Sequence, residues 1–289
     1  MNGNKVLITG VTGMLGSSLL KLLPYDNIVG FDSRELNIAD YKQVQNVLAS
    51  EKPDIIIHTA AYTNVEACEI ESDRAYLVNI MGTQNLVNYA IENDVLFVYL
   101  SSTGIYGKDK STPYTEFDLV RPTTVHHKSK YEAEKIVQNH LNKYIIIRTG
   151  WLFGGDKTHQ KNFVYKRYLE AKGKNVIYSD NTQVGNPTSI NNLVNQIIVL
   201  LGAKQYGLFN CVDKAENISR YDYVKKIIEL FALPCSVEVA PPNMFDRIAP
   251  VSHNESAINK KLNLLDLNVM QSWEYSLKEY IDNLKKDLK

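Results

Sequence analysis

The chain has 289 residues, 44% of them apolar, enough to bury one large core or a core and a smaller lobe. Lys+Arg and Asp+Glu both number 32, so a formal net charge of zero gives no pull toward nucleic acid or an anionic membrane, and no apolar run approaches the roughly 18 residues of a membrane span. Cys68, Cys211 and Cys235 lack metal spacing and read as reduced thiols, and the first five residues do not have the form of a signal peptide, so a cytoplasmic protein without a metal site is expected.

A strand at 5–9 leads into a helix at 15–23, and a second strand at 28–32 into a helix at 41–49. A third strand at 54–58 precedes a long helix at 73–92, a fourth at 97–101 precedes a helix at 129–142, and a fifth follows at 144–148. Strands of about five residues separated by helices of ten or so make right-handed βαβ crossovers, hence a parallel sheet with helices on both faces. After Trp151 the rhythm loosens. Residues 162–171, 190–201, 221–231 and 273–285 look helical, with short strands near 176–178, 208–211 and 237–239, and Pro241, Pro242 and Pro250 interrupt the pattern. The expected fold is α/β: a Rossmann-type doubly wound parallel sheet over residues 1–150, and a smaller C-terminal substrate lobe over 151–289 with some segments returning to the first domain.

Between the first strand and its helix stands Thr9-Gly10-Val11-Thr12-Gly13-Met14-Leu15-Gly16. Gly10 permits a tight turn, Gly13 lets the backbone approach a diphosphate, and Gly16 allows the helix to pack close on the strand. The helix N-terminus then offers free N–H groups and a positive dipole end to phosphate. The second strand ends at Asp32, whose carboxylate suits the hydroxyls of an adenosine ribose and repels a 2′-phosphate. That favours NAD(H); Arg34, two residues on, leaves NADP(H) open. The alternative for Asp32 is a loop carboxylate capping a turn.

The glycine spacing resembles that of the extended short-chain dehydrogenase/reductases, and further residues narrow the likeness. The run from His58-Thr59-Ala60-Ala61-Tyr62 to Ala67-Cys68-Glu69, Asn79 in the long helix, Arg148-Thr149-Gly150-Trp151, Gln183-Val184-Gly185-Asn186-Pro187-Thr188 and Ser272-Trp273-Glu274 resemble the dTDP-4-dehydrorhamnose reductase family over nearly the whole chain. The resemblance implies a nucleotide-sugar oxidoreductase that reduces a 4-keto-6-deoxyhexose nucleotide with NAD(P)H. It places Gly13, Met14 and Leu15 on the cofactor phosphates, Asp32 on the ribose, and Asn37 (where the family has Asp) and Ile38 by the adenine. Ala60, Ala61 and Tyr62 would line the cofactor along the third strand end. Trp151 would be a wall for the sugar, or else a core aromatic. A nucleotide sugar is the expected partner, with a homodimer compatible and neither nucleic acid nor membrane involved.

Such a reductase needs a Tyr hydroxyl to protonate the carbonyl oxygen, a Lys one helical turn later to hold the nicotinamide ribose, and a Ser or Thr on the same carbonyl. Ser102 takes the last position, with Thr103 as a second substrate contact. An acid and an aromatic follow at this point in rhamnose-type reductases; Thr103 and Gly104 stand here instead, which is similar to the sugar epimerases and dehydratases. The family's next segment runs Val/Ile-Tyr-Gly-x-Ser/Thr-Lys with an acid four residues beyond. This chain has Val125-His126-His127-Lys128-Ser129-Lys130, with Glu134 beyond. Lys130 thus falls at the Lys and His126 at the Tyr. Tyr131 and Lys135 have the literal spacing but start five residues late, rotated off that face. Three readings stay open. His126 is the acid, although Lys130 would lower its pKa; or His127 or Tyr106 supplies the proton; or the chain is a catalytically impaired or regulatory protein that binds cofactor and nucleotide sugar. Without any chemistry, His126 and His127 would be exposed polar residues at a helix start.

Overall fold

The computed structural model describes residues 3–288. Its first half contains β1 (Lys5–Thr9), α1 (Met14–Leu22), β2 (Asn27–Phe31), α2 (Tyr41–Glu51), β3 (Ile55–His58), α3 (Val65–Ile70), α4 (Ser72–Tyr76), α5 (Gly82–Glu92), β4 (Leu96–Ser102), α6 (Val125–His140) and β5 (Tyr144–Thr149). The second half adds β6 (Leu152–Phe153), α7 (Phe163–Ala171), β7 (Val176–Ser179), β8 (Val184–Gly185), β9 (Thr188–Ser189), α8 (Ile190–Ala203), β10 (Gly207–Asn210), β11 (Ile218–Ser219), α9 (Arg220–Phe231), β12 (Ser236–Val239), α10 (Lys260–Leu264) and α11 (Trp273–Lys286).

Runs such as Ile55-Ile56-Ile57 are apolar on both sides of the strand because both faces of the sheet are covered. Six parallel strands stand in the order β10-β5-β4-β3-β1-β2. One face packs on α1 and α8 through Ile8, Leu19, Val98, Leu193 and Ile197; the other packs on α2, α5 and α6 through Leu7, Leu48, Leu86, Tyr99 and Val137. A third core, with Phe153, Val164, Tyr223, Ile227, Trp273 and Leu277, holds α7, α9 and α11 together. The chain leaves β1 toward β2 on one side and places β3 on the other. The strand order therefore reverses at β1, and a crevice opens at the C-terminal ends of β1 and β3.

Two local departures from the sequence pattern bear on that crevice. The single helix expected at 73–92 is broken into α4, a π turn at Leu77–Met81 and α5, with α3 ahead of them capped by the Asn64 side chain. The wider π turn carries Asn79 inward, fully buried. And α6 begins at Val125 rather than 129, because Thr124 caps it by accepting the His127 N–H at 3.1 Å. His126 and His127 are therefore first-turn residues, and they are buried rather than exposed.

Candidate functional site

Glycine brings α1 close to β1. Gly10 sits at φ +78°, where a Cβ would lie 2.8 Å from the Ala60 backbone, and a Cβ on Gly16 would come within 2.4 Å of the Gly10 carbonyl oxygen. Gly13 is different: a Cβ there would meet only Gly10 O, at 3.3 Å. Its bareness serves the space beyond it rather than the packing beneath it. No side chain caps α1, so the N–H groups of its first turn are open to an anion. The space is a cleft of about 840 Å³ lined by Gly10, Gly13, Met14, Asp32, Asn37, Ile38, Ala60 and Ala61. These sequence-derived positions come together. Leu15 is packed in the core, which leaves only its backbone to face a ligand.

Asp32 is not a bare carboxylate. Its Oδ1 accepts from the N–H groups of Arg34 at 2.8 Å and Glu35 at 3.2 Å, and its Oδ2 accepts from Arg34 Nε at 3.0 Å and from the same guanidinium's terminal nitrogen. The Arg34 side chain, followed by that backbone bond, brings its pKa down to about 2. Asp32 therefore caps the turn after β2 while it lines the cleft, and the cation beside it is exposed.

The positions expected to carry the chemistry lie on β4, on α6 and in the turns beside them. Ser102 closes β4, half-buried, and its Oγ accepts the Gly104 N–H at 3.2 Å, leaving the hydroxyl hydrogen to donate elsewhere. Thr103 is turned away: a Cβ on Gly150 would lie 2.4 Å from its Oγ1, so the side chain is packed against β5's end and cannot serve as a substrate contact. Tyr106 is fully buried, stacked on Tyr114, and its hydroxyl donates to Asn210 at 2.7 Å, which removes it as a proton source. Trp151 is 9% exposed, donates Nε1–H to Glu255 at 2.8 Å and lies 3.5 Å beneath the Arg220 guanidinium. That environment is a core aromatic's, and little of the ring remains for a sugar.

Lys130 is 6% exposed, with Nζ 4.1 Å above the Tyr99 ring. The acid four residues on, Glu134, is engaged by Arg148 at 2.7 Å. Burial brings Lys130 down to about 7. Tyr131 and Lys135 lie elsewhere on α6, where Lys135 pairs with Glu132.

The two histidines are fixed by their partners. His126 Nδ1 lies 3.1 Å from the Tyr62 carbonyl oxygen, which can only accept, so Nδ1 carries the ring hydrogen and Nε2 presents a lone pair. Burial, then His127 and Lys130, push its pKa down to about 3. This is not the ring of an acid at neutral pH. His127 Nδ1 lies 3.0 Å from the Thr124 hydroxyl, whose hydrogen has no other acceptor among the described residues; the hydroxyl donates to Nδ1, and the ring hydrogen sits on Nε2. The His127 ring occupies the room left at Gly104, where a Cβ would come within 2.2 Å of Cε1 and Nε2.

Asn79 holds this corner. Its Oδ1 accepts the Tyr62 N–H at 2.7 Å, and its Nδ2 donates to Tyr62 O at 3.1 Å and to Ser129 Oγ at 2.9 Å. The backbone at Tyr62 is thereby pinned between β3 and α6, while the Tyr62 ring lies under Arg74 at 4.9 Å. Sequence reading matched Asn79 to the resembled family's long helix but gave it no role in the site. It also missed Thr158, His159 and Lys161, which line the cleft from the second half of the chain. Among the described residues no cluster of His, Cys, Asp or Glu could hold a metal ion, and no helix is long and apolar enough to cross a membrane.

Comparison with known proteins gives a family. The model of the RmlD substrate binding domain matches residues 4–286. A dTDP-4-dehydrorhamnose reductase of Aggregatibacter actinomycetemcomitans is 33% identical over 235 residues, 78% of each chain. The crystal structure of a dTDP-4-dehydrorhamnose reductase of Clostridium acetobutylicum superposes with a TM-score of 0.92 at 32% identity, covering 99% of this chain and 100% of that one. One from Bacillus anthracis, in complex with NADP, gives 0.91 at 31% identity, covering 97% and 99%.

Proposed function

The chain belongs to the RmlD substrate binding domain family, and from that premise we propose that it is a reductase of a nucleotide-linked 4-keto-6-deoxyhexose, using NAD(P)H. The observation that carries this is the His126 Nδ1–Tyr62 O bond, which seats the first turn of α6 beside Ala61 and Thr63 at the end of the cleft. A dinucleotide held by Asp32 and the Gly10–Gly13 turn then ends near Ser102 and Lys130. The bound cofactor supplies the hydride. Ser102 donates its hydroxyl hydrogen to the ketone oxygen, and Lys130 delivers the proton that balances the hydride, recharged afterwards from solvent. The nucleotide sugar enters between the Rossmann half and the smaller lobe of 151–289. Either cofactor is accepted, because Arg34 offers a 2′-phosphate a cation where Asp32 alone would repel it.

The hydrogen-bonding state of His126 favours a second reading, a catalytically impaired binding protein, since the residue at the donor position has no proton to give. Net loss of NADH on adding a dTDP-4-keto-6-deoxyhexose separates the two. Turnover supports the reductase. Tight cofactor binding with no turnover supports the binder, and turnover of sugar without net loss of NADH would point to an epimerase or dehydratase instead.

A further inference from the structure

The segment joining β6 to α7 has no part in the chemistry above, yet it forms one wall of the cofactor cleft. Gly154 and Gly155, at φ +126° and +73°, turn the chain back toward α1, where a Cβ on Gly155 would meet Met14 at 3.3 Å. The base of the segment is tied down. Asn162 Nδ2 donates to the Asp156 carbonyl at 3.1 Å and to the Tyr280 hydroxyl oxygen at 2.7 Å, and that hydroxyl donates to Gly155 O at 3.1 Å. Its crest is latched at two points. His159 Nδ1 lies 2.8 Å from the Asp156 nitrogen and 3.2 Å from the Asp156 carbonyl oxygen, and its Nε2 is hydrogen-bonded with Ser17 Oγ at 3.2 Å, on α1. The Lys161 ammonium donates to Thr63 Oγ1, across the cleft on the chain leaving β3.

A dinucleotide reaching from Asp32 toward Lys130 passes over the Gly10–Gly13 turn with its diphosphate, the section that α1's free N–H groups attract. Thr158, His159 and Lys161 stand over that section. Of the two cations lining the cleft, Arg74 is already paired with Glu71 at 3.0 Å, whereas Lys161 rests on a neutral hydroxyl. Resting on the dinucleotide reading of the cleft, we propose that residues 158–161 form a strap over the cofactor and that Lys161 exchanges Thr63 for an oxygen of the diphosphate. A hydrogen bond between opposite charges then replaces one from a cation to a neutral hydroxyl, and it gains strength as the strap excludes water.

The test is binding, by calorimetry, of three probes to the full chain: NADH, ADP-ribose, which keeps the diphosphate but lacks the nicotinamide, and adenosine, which has no phosphate. In Lys161→Met the Kd for NADH and for ADP-ribose should rise alike, by about tenfold, and adenosine should be unaffected. Lys161→Arg should bind both as the native chain does. Circular dichroism confirms that the variants fold. An unchanged Kd for ADP-ribose overturns the strap even where NADH weakens, and so does an equal loss for adenosine. Failure of the native chain to bind NADH and ADP-ribose overturns the dinucleotide reading, and the strap with it.

Discussion

Replacing His126 by Tyr puts a proton where the native side chain has none to give. With a pKa of about 3, only about one His126 ring in 10⁴ is doubly protonated at pH 7. A Tyr hydroxyl keeps its hydrogen at that pH, and a well-placed general acid contributes roughly 10²–10⁴-fold. The substitution removes one donor to the Tyr62 carbonyl, but Asn79 Nδ2 still serves that oxygen at 3.1 Å, so the corner should hold. Where proton delivery limits turnover, His126→Tyr should therefore raise kcat for a dTDP-4-keto-6-deoxyhexose within that range, with the NADH Kd and Tm little changed. The pH dependence carries the sign. In the proposed mechanism Lys130 acts in its protonated form, so native kcat should be level below about 7 and fall tenfold per unit above it. Were His126 the acid, the fall would start near its pKa of about 3 and leave no plateau around neutrality. Steady-state loss of NADH across pH, for native chain and variant, reads both. An unchanged kcat, with native and variant profiles that coincide, refutes the claim that a donor is missing at 126. A native rate falling at unit slope through the whole acid range refutes the proton assignment at Lys130.

Gly104→Ala would drive a methyl into the His127 ring, an overpacking worth about 1–3 kcal/mol, and adding His127→Ala should restore most of it; urea midpoints that are merely additive would show the two are not coupled. His58, His126 and His127 are all held below the ordinary histidine value, chiefly by burial, so below about pH 6.5 the unfolded chain binds more protons than the native one. Stability should be full above that pH and decline as pH falls through it, by up to about 1.4 kcal/mol per unit for each ring, and a urea midpoint that does not move between about pH 7 and 5.5 would contradict the burial of all three. Arg34→Met strips the cation from Asp32 and should weaken NADPH several-fold more than NADH in a fluorescence titration; equal losses would mean that Arg34 does not face the 2′-phosphate.

The Rossmann half was legible because its signals are local. β1 and β5 announce themselves by β-branched residues between turns, and Gly10, Gly13 and Gly16 sit where strand, turn and helix must meet. What sequence could not show is direction and distance. Thr103 and Ser102 are neighbours of similar chemistry, but β4 ends at Ser102 and a tight 3-10 turn begins at Thr103, so strand alternation does not relate the two side chains, and only the structure shows Thr103 packed on Gly150. The π turn at Asn79 adds one residue to a helical register that reads as uninterrupted. Trp151 looks like a sugar wall until Arg220 and Glu255, far along the chain, are seen to enclose it. Lys161 lies almost a hundred residues from Thr63, and no periodicity joins them.

Around the missing Tyr, the departures from the family pattern fit one another. The resemblance expects a ring two residues after Ser102 and a glycine one residue after the Tyr. This chain has the glycine at 104 and the ring at 127, so the ring has crossed from the strand side of the site to the helix side, and each change makes room for the other. His126 is likewise integrated: its Nδ1–H and Asn79 share the Tyr62 carbonyl, and Ser129 Oγ, which accepts from Asn79, donates to His126's own carbonyl at 2.7 Å. A buried ring left beside a void or without a hydrogen-bond partner would cost about 1–3 kcal/mol. Here the substituted rings are packed and bonded, while Ser102 and Lys130 stay in place. Two opposed tautomers, a lone pair on His126 Nε2 and a hydrogen on His127 Nε2, now stand side by side at the head of α6. ¹⁵N spectra of the imidazoles should show that opposition in the free protein. Matching tautomers at 126 and 127 would mean that the corner is held by something other than the Tyr62 carbonyl and the Thr124 hydroxyl, and the case for a remodelled rather than a decayed site would fall with it.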